Sequence, residues 1–348
     1  MMSSRWIHAR APLRINDIGG WTDTWFARDG HVLNIAVGPA VEVQLRARPV
    51  RKGEKPRIRI HAENFGRVVD VDPENPGEGP HPLLRHAATA IPAPQGLDIE
   101  VAVYSPVPAG ISAGTSASVC AAILGAFDRL SGTGYGPEDF VRLAHEVETV
   151  KLGLQSGVQD QICAVYGGIC DIAMAGYPQA RVRKLRLRQN TLRELERRLS
   201  LLYLGKPHDS SSVHEQVIAR LESGRESARV EALDTMKELA LRAAGDLEHG
   251  DLEAYGRAMI ENNECQRRLS EDLISPEADA AAGIARACGA SGWKVNGAGG
   301  RGGSMTILAC RDDSARRRMI VEVEARGGGM RFLPVRISET GLEAWDVA

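Results

Sequence analysis

Two acidic residues twelve positions apart, Glu148 and Asp160, flank a glycine-rich turn in the segment ETVKLGLQSGVQDQ. Such a pair can divide two tasks, because one carboxylate can bind a metal ion while the other takes a proton from a substrate hydroxyl. The same pattern also fits a solvated glutamate at a helix end, followed by an aspartate that caps the next helix. The pair alone leaves both interpretations open.

A second segment, PAGISAGTSASV, consists mostly of glycine, alanine and serine and runs directly into an apolar helical stretch. Backbone N–H groups at a helix N-terminus bind anions such as phosphate when small side chains leave them uncovered. The hydroxyl of Thr115 or Ser116 could contact a phosphate or its metal ion. The segment contains no lysine, so it is not the GxxxxGK[ST] phosphate loop. A tightly packed helix start is the alternative.

Two further segments combine glycine with polar residues. WKVNGAGGRGG places five glycines within Gly297–Gly303. That density indicates close approach of a backbone or a ligand, or alternatively a hairpin connection. RINDIGGWTDTW clusters Arg14, Asn16, Asp17 and Asp23 around paired glycines. The cluster suits recognition of a polyol, although as an isolated motif it equally fits a charged hairpin.

Periodicity outlines the elements that must position these residues. Alternation of apolar and polar residues predicts a strand with Val41, Val43 and Leu45 on one face. Apolar residues at helical spacing predict a helix that ends at Glu148. The second half is rich in predicted helices and closes with alternating strands and helices. These patterns indicate a mixed α and β protein with a boundary near residues 180–195.

Composition narrows the class of partner and the location. The 348 residues include 43 Lys plus Arg against 45 Asp plus Glu, a net charge of -2. This balance argues against nucleic acid as the main partner, because binding to a phosphate backbone needs a basic surface. The sequence shows neither the apolar stretch of a signal peptide nor one that could cross a bilayer. We therefore expect a cytoplasmic protein with no membrane partner.

Taken together and in this order, the four segments resemble the motifs of the GHMP kinases, the family of galactokinase, homoserine kinase, mevalonate kinase and phosphomevalonate kinase. APLRINDIGGWTDT is similar to APxRxNLIGEHTDY of galactokinases, and PAGISAGTSAS is similar to the phosphate loop PxGxGLGSSAS. ETVKLGLQSGVQDQ matches ExxxxGxxxGxxDQ, and KVNGAGGRGG matches KxxGAGxGG. The resemblance spans about residues 9–310.

The resemblance implies a two-domain α+β fold. An N-terminal α/β domain of ribosomal-S5-like type would cover residues 1–190, and a C-terminal ferredoxin-like α/β sandwich would cover residues 191–348. The resemblance also implies a kinase that uses ATP and Mg²⁺ and acts on an alcohol group in a cleft between the domains. The expected partner is a small sugar or sugar phosphate, and the chain is expected to be a monomer or a homodimer.

Residue roles follow from the resemblance in the same way. Asp160 would act as the catalytic base, and Arg14 would steady the charge of the transferred phosphoryl group. Ser116 and Glu148 would bind Mg²⁺. The loop residues that would bind ATP are Pro108, Gly110, Ser112, Gly114, Thr115, Ser116 and Ala117. The residues that would contact the acceptor or form its pocket are Asn16, Gly20, Trp21, Thr22, Asp23, Gly157, Gly299 and Gly300.

The first motif departs from the galactokinase pattern where an acceptor would be recognised. Gly20 and Trp21 stand in place of an acidic residue and a histidine, and Thr24 replaces a tyrosine, which disfavours galactose. GGWTDT resembles GGWSDT of fucokinases and GGGTD of heptose 7-phosphate kinases, and both groups phosphorylate an anomeric hydroxyl. A sugar 1-kinase is therefore predicted. The serines Ser210–Ser212 could bind a phosphate already on the substrate, or they could simply cap a helix.

Three alternatives remain. The acceptor could be mevalonate or homoserine, although the sugar-like first motif argues against this. The chain could be a sugar sensor without catalytic activity, but such a protein would not need Asp160, Glu148 and Arg14. A decarboxylase of the diphosphomevalonate type would also keep the fold and the use of ATP.

Overall fold

Two β-sheets organise the chain, and the computed structural model describes residues 4–27, 29–51, 53, 55–73, 75–207, 217–219 and 227–347. Within these ranges the larger sheet comprises β1 (Arg5–Ile18), β2 (His31–Pro49), β3 (Arg57–Ala62), β4 (Arg67–Val71), β5 (Leu97–Tyr104), β6 (Ile169–Gly176), β7 (Gln179–Lys184), β12 (Arg336–Ile337) and β13 (Glu343–Val347). The smaller sheet comprises β8 (Leu199–Leu204), β9 (Gly292–Val295), β10 (Ser304–Leu308) and β11 (Met330–Leu333).

Helices cover both sheets. In chain order they are α1 (Pro82–Thr89), α2 (Thr115–Ser131), α3 (Pro137–Glu146), α4 (Gln159–Tyr166), α5 (Gln189–Arg198), α6 (Ser227–His249), α7 (Leu252–Leu269), α8 (Pro276–Ala287) and α9 (Asp313–Ala325). A single π-helical turn, Val147–Lys151, follows α3 directly. This mixture of helix and sheet confirms the predicted α+β fold class. The serines Ser210–Ser212 lie outside the described residues.

The larger sheet is ordered β13-β1-β2-β5-β3-β4, and β6 also pairs with β2. Its pairings are antiparallel except for that of β3 with β5. The predicted alternation in β2 is confirmed, since Val41, Val43 and Leu45 are buried on one face. Helix α2 packs against that face and is itself almost entirely buried from Ala117 to Phe127.

The pairing of β1 with β2 is irregular where β1 enters the first motif. The register shifts between Ala11 and Leu13 and again between Ile15 and Ile18. Asn16 lies between the second pair of positions with a φ of 52°, a left-handed conformation that asparagine tolerates better than most residues. Bulges of this kind redirect side chains. Here the irregularity lets Arg14 and Asp17 meet, although residues three apart on a regular strand point to opposite faces.

The end of the chain returns to the larger sheet. Strand β13 pairs with β1, and the short β12 pairs with β2. The smaller sheet, ordered β11-β8-β10-β9, packs against α8 and α9 through residues such as Ala281 and Met319. A domain boundary at residue 190 stays a prediction, and both terminal strands after residue 335 lie across it. No helix among the described residues has the length and apolar character needed to cross a bilayer.

Candidate active site

A cleft of about 310 Å³ opens where the end of β1, the start of α2, the start of α4 and the turn after β9 meet. Its wall includes eleven of the predicted site residues, brought together from three of the four sequence segments described above. These are Arg14, Trp21, Asp23, Gly110, Ser112, Gly114, Thr115, Ser116, Glu148, Gly157 and Asp160.

The loop before α2 forms one wall of the cleft. Three of its residues have left-handed backbone conformations, with φ of 73° at Gly110, 57° at Ser112 and 65° at Gly114. The first four N–H groups of a helix lack partners within that helix. The buried hydroxyl oxygens of Ser112 and Thr115 also have no hydrogen-bond partner within the described part of the chain. The loop therefore presents unused hydroxyls beside helix-end amides, which suits a phosphate.

Asp160 faces this loop from the first turn of α4. Its Oδ1 accepts from Arg14 Nε at 2.8 Å and lies 2.7 Å from Arg14 Nη2. Burial lowers the pKa of the Arg14 guanidinium, but the nearby Asp160 and Asp17 carboxylates raise it more, so the group stays charged. A Cβ at Gly114 would lie 3.2 Å from Asp160 Cγ, which places the carboxylate directly against the loop.

A second carboxylate, that of Asp17, holds Arg14 from the other side. Its Oδ1 accepts from Arg14 Nη1 at 3.2 Å, from Lys294 Nζ at 3.0 Å and from the backbone N–H of Gly297 at 3.0 Å. Burial raises the pKa of Asp17, but the charges of Lys294 and Arg14 lower it by more, so the pKa lies below its usual value. In the sequence, Asp17 belongs to the polar cluster of the first motif without a predicted role of its own, and Lys294 is only the first residue of its motif.

Glu148 lies buried in the π-helical turn at the other end of the loop. Its Oε2 accepts from Gln161 Nε2 at 2.5 Å and from the Ser156 hydroxyl at 3.2 Å. Burial raises the pKa of the Glu148 carboxyl to about 7, although the nearby Ser116 hydroxyl acts to lower it. Glu148 Oε1 is buried with no partner among the described residues. An oxygen of this kind, next to a serine hydroxyl, fits a divalent cation.

Asp23 lies deeper in the cleft. Its Oδ2 accepts from the backbone N–H of Gln159 at 3.0 Å, and burial raises the pKa of the carboxyl to about 6. A Cβ at Gly157 would lie 2.0 Å from Asp23 Oδ2, so only glycine leaves room for this carboxylate. Asp23 and the buried Trp21 form one corner of the cleft, where the carboxylate supplies a polar surface and the indole an apolar one.

An apolar cavity of about 390 Å³ adjoins the cleft and shares Gly110, Thr115 and Ser116 with it. Its remaining lining includes residues of the strands β3 and β5, the helices α1 and α2, and Leu152. This cavity is not predicted from the sequence. Most of its lining residues are ordinary apolar side chains scattered between Ala62 and Leu152, and no local motif marks them.

Comparison with known proteins places this geometry in a family. The profile of the GHMP kinases N terminal domain matches residues 82–168. The chain is 23% identical over 349 residues to a D-glycero-alpha-D-manno-heptose 7-phosphate kinase of Campylobacter jejuni, covering 98% of this chain and 99% of that one. It is 27% identical over 255 residues to a mevalonate kinase of Thermococcus sibiricus, covering 72% and 70% of the two chains. Residues 82–168 thus match the N-terminal domain of the GHMP kinases.

A solved structure shares the fold of this chain. The crystal structure of a D-glycero-D-manno-heptose 1-phosphate kinase from Bacteroides thetaiotaomicron aligns with a TM-score of 0.75 at 21% identity, covering 98% of this chain and 99% of that one. The relatives in the comparison include heptose phosphate kinase, galactokinase and mevalonate kinase. The chain is accordingly an enzyme of the phosphotransferase class with an alcohol group as acceptor.

Several predicted site residues lie outside the cleft wall. Asn16 is fully buried and donates to Tyr255, and the Thr22 hydroxyl donates to the backbone of Gly19. Gly20 packs over Asp17, so that a Cβ there would lie 2.4 Å from Asp17 Oδ2. These residues shape the first motif from within. Pro108 and Ala117 likewise lie at the ends of the loop, away from the lining.

The glycine-rich turn is placed differently from the expectation. Gly297 and Ala298 line the cleft, whereas Gly299 and Gly300 do not. Gly300 donates its N–H to the Leu273 carbonyl at 2.7 Å, and a Cβ at Gly299 would lie 2.3 Å from the same oxygen. Their lack of side chains lets the turn dock on the backbone after α7, outside the lining of the cleft.

Proposed function

We propose that this protein is a GHMP kinase that transfers the γ-phosphate of ATP to a hydroxyl of a sugar, the anomeric hydroxyl in particular. One observation carries the proposal: the Asp160 carboxylate is bonded to the Arg14 guanidinium and lies 3.2 Å from the Cβ position of Gly114 at the start of α2. A potential base, a fixed cation and a helix N-terminus thus meet at one point. Phosphoryl transfer needs these groups for positioning and charge neutralisation.

ATP would span the cleft and the apolar cavity. The loop from Gly110 to Thr115 would bind its phosphates through backbone N–H groups and the unused hydroxyls of Ser112 and Thr115. The adjoining apolar cavity, which opens at Gly110, Thr115 and Ser116, would take the purine. Its lining is mainly apolar, as binding sites for flat aromatic ligands usually are.

The residues present also fit Mg²⁺. Within the described ranges no group of three or more Asp, Glu, His or Cys side chains could hold a metal alone. Magnesium, however, needs only one or two protein carboxylates, because substrate phosphates and water complete its octahedron. Glu148, with a buried unpartnered oxygen, and Ser116 would hold the ion. When bound, it would neutralise charge on the ATP phosphates.

In the proposed reaction Asp160 accepts the proton of the sugar hydroxyl as that oxygen attacks the γ-phosphorus. The bond between the γ-phosphorus and the oxygen bridging to the β-phosphate breaks, and ADP leaves with the bonding electrons. Arg14 stays charged throughout and stabilises the equatorial oxygens of the transferred group. Its bonds to Asp160 and Asp17 fix its position before the substrates bind.

The acceptor would occupy the corner formed by Asp23 and Trp21. The Asp23 carboxyl has a pKa of about 6 and is therefore mainly charged at pH 7, where it accepts hydrogen bonds from sugar hydroxyls. The choice of the anomeric position is supported by the likeness of GGWTDT to the corresponding motifs of fucokinases and heptose 7-phosphate kinases. The Campylobacter jejuni relative, which is named a heptose 7-phosphate kinase, supports a sugar acceptor.

A panel of acceptors tests the proposal. Release of ADP from ATP and Mg²⁺ is measured with L-fucose, heptose 7-phosphate, galactose, mannose, glucuronate, mevalonate and homoserine. We expect turnover with at least one sugar, and ³¹P NMR of the product should show phosphate coupled to the anomeric proton. Turnover with mevalonate or homoserine alone would contradict a sugar acceptor, and phosphate on another carbon would contradict the anomeric position.

Asp160→Asn tests the role of the base. The variant keeps a group of the same shape but cannot take the proton, so we expect kcat to fall by about 10²–10⁴ while the affinity for ATP is retained. Asp70→Asn is the control, because Asp70 pairs with Arg59 on an exposed edge of the sheet. An Asp160→Asn enzyme with the turnover of this control would show that the base assignment is wrong.

A further inference from the structure

The Asp17 carboxylate is almost completely buried, yet one of its oxygens collects three donors. These are the guanidinium of Arg14, the ammonium of Lys294 and the backbone N–H of Gly297, each within 3.2 Å of Oδ1. The donors come from β1, from β9 and from the turn after β9. The carboxylate therefore joins the strand that carries Arg14 to the smaller sheet at the edge of the cleft.

All three nitrogens of the Arg14 guanidinium have defined partners. Nε and Nη2 face Asp160, while Nη1 donates to Asp17 Oδ1 and to the Ser112 carbonyl, both at 3.2 Å. A guanidinium is planar and rigid. Its contacts at Nη1 consequently decide where the opposite edge points, and that edge faces Asp160 and the phosphate loop.

Lys294 completes an alternating row of charges. Its side chain is fully buried, and its Nζ donates to Asp17 Oδ1 and to the carbonyl of Val295. The row runs Lys294, Asp17, Arg14, Asp160 and alternates in sign. Without the charge of Asp17, two buried cations would face each other across the end of β1, and a buried cation without a counter-charge is strongly unfavourable.

The first motif differs from the galactokinase pattern at two positions that lie against each other in this structure. The galactokinase pattern APxRxNLIGEHTDY has leucine where this chain has Asp17 and an acidic residue where it has Gly20. Any Cβ at Gly20 would lie 2.4 Å from Asp17 Oδ2. A bare Cα at position 20 is therefore what leaves room for a carboxylate at position 17.

We propose that Asp17, balanced by Lys294, is a positioning residue for phosphoryl transfer. It holds the Arg14 guanidinium in the orientation that serves Asp160 and the transferred group. This inference rests on the kinase function proposed above. It predicts that loss of Asp17 lowers kcat and leaves the KM for ATP nearly unchanged, because the phosphate loop and the apolar cavity remain intact.

The test separates positioning from a purely structural role. In the double variant Asp17→Leu with Lys294→Met, apolar residues of similar size replace the buried ion pair, a change that often leaves stability unaltered or raised. We expect a thermal midpoint near that of the wild type and a KM for ATP within about threefold. We expect kcat to fall about 10²-fold, the size of loss that a displacement of about 1 Å can cause. Asp17→Asn, which keeps the shape of the side chain, should also lower kcat.

Asp171→Asn is the matched control. Asp171 is likewise a buried carboxylate that bridges two basic groups, His31 and Arg183, but it lies outside the cleft. Its replacement should lower stability and leave kcat unchanged. If both Asp17 variants fail to fold while Asp171→Asn folds, the pair is a folding element and the inference is wrong.

The remaining outcomes distinguish this inference from the proposed function. Wild-type kcat in the folded double variant would overturn the positioning role and leave the kinase function intact. If the wild-type enzyme phosphorylates no acceptor of the panel, the proposed function fails, and a crystal structure of the double variant decides the inference. Arg14 displaced from Asp160 would support it, and Arg14 still bonded to Asp160 through both nitrogens would overturn it.

Discussion

At the scale of single residues, burial sets the chemistry of the cleft. Asp23 and Glu148 are both carboxyls withdrawn from water, and burial raises their pKa values to about 6 and about 7. Arg14 and Asp17 are buried as well, but each has an opposite charge beside it and stays ionised. The cleft thus contains two carboxyls with pKa values near neutrality beside an ion pair of Arg14 and Asp17 that stays charged.

Asp23 should make stability depend on pH in a defined direction. Its pKa is higher in the folded chain, about 6 against 3.8, so between these pH values the folded state binds more protons than the unfolded state. The contribution of Asp23 to the free energy of unfolding must therefore fall as the pH rises from about 4 to about 6. At about 1.4 kcal/mol per pKa unit, the fall is on the order of 3 kcal/mol.

Urea unfolding of the wild type and of Asp23→Asn from pH 4 to pH 8 measures this contribution as a difference. We expect the wild type to lose stability relative to the variant up to about pH 6 and the difference to stay level above it. Asp70→Asn, at an exposed position, serves as control. The difference in stability between this variant and the wild type should change little with pH. A difference for Asp23 that rises with pH, or stays constant, would contradict the assignment.

At the scale of elements, α2 begins and ends on glycines with matching conformations. Gly114 at its start has φ of 65° and Gly132 after its end has φ of 69°. Both are left-handed positions, where a side chain costs about 1–2 kcal/mol. Their surroundings differ, because a Cβ at Gly114 meets the Asp160 side chain and a Cβ at Gly132 meets nothing within 4 Å.

Gly114→Ala and Gly132→Ala should therefore separate backbone strain from catalytic geometry. We expect both variants to lose a similar amount of stability, about 1–2 kcal/mol, in denaturant unfolding. Only Gly114→Ala should lower kcat, by about tenfold or more, since the added methyl group pushes Asp160 away from the loop. Equal kcat values in the two variants would mean that the closeness of Gly114 to Asp160 has no catalytic importance.

At the scale of the whole molecule, buried polar contacts tie the larger sheet to the elements of the second half. Asn16 Nδ2 donates to the Tyr255 hydroxyl on α7 at 2.6 Å, and the backbone N–H of Asn16 donates to Asn296 Oδ1 at 3.0 Å. Asn16 and Tyr255 are completely buried. These contacts fix the first motif relative to the glycine-rich turn, and thereby fix the width of the cleft.

Tyr255→Phe tests this link. The variant leaves the buried Asn16 amide without its acceptor, so we expect the free energy of unfolding to fall by about 1–3 kcal/mol. Tyr203→Phe is the control, because its ring keeps the contact with Arg331. Urea unfolding followed by circular dichroism and tryptophan fluorescence measures both variants. A loss in Tyr255→Phe no larger than that of the control would show that the contact contributes little to stability.

The sequence by itself determined those structural features that depend only on residues close together in the chain. The left-handed glycines, the small residues before α2 and the aspartate in the first turn of α4 are local features, because helix ends are shaped by the few residues around them. The alternation in β2 identified its buried face for the same reason. The order of four motifs then sufficed to indicate the family and its α+β fold.

Only the tertiary structure decided which distant residues meet. Asp17 and Lys294 lie 277 positions apart, and their contact depends on a shifted register near Asn16 that no local pattern indicates. The same holds for Gly299 and Gly300, which dock on the Leu273 backbone instead of the cleft. Strand irregularities and the packing of one sheet on another fix such contacts, and these depend on the whole chain at once.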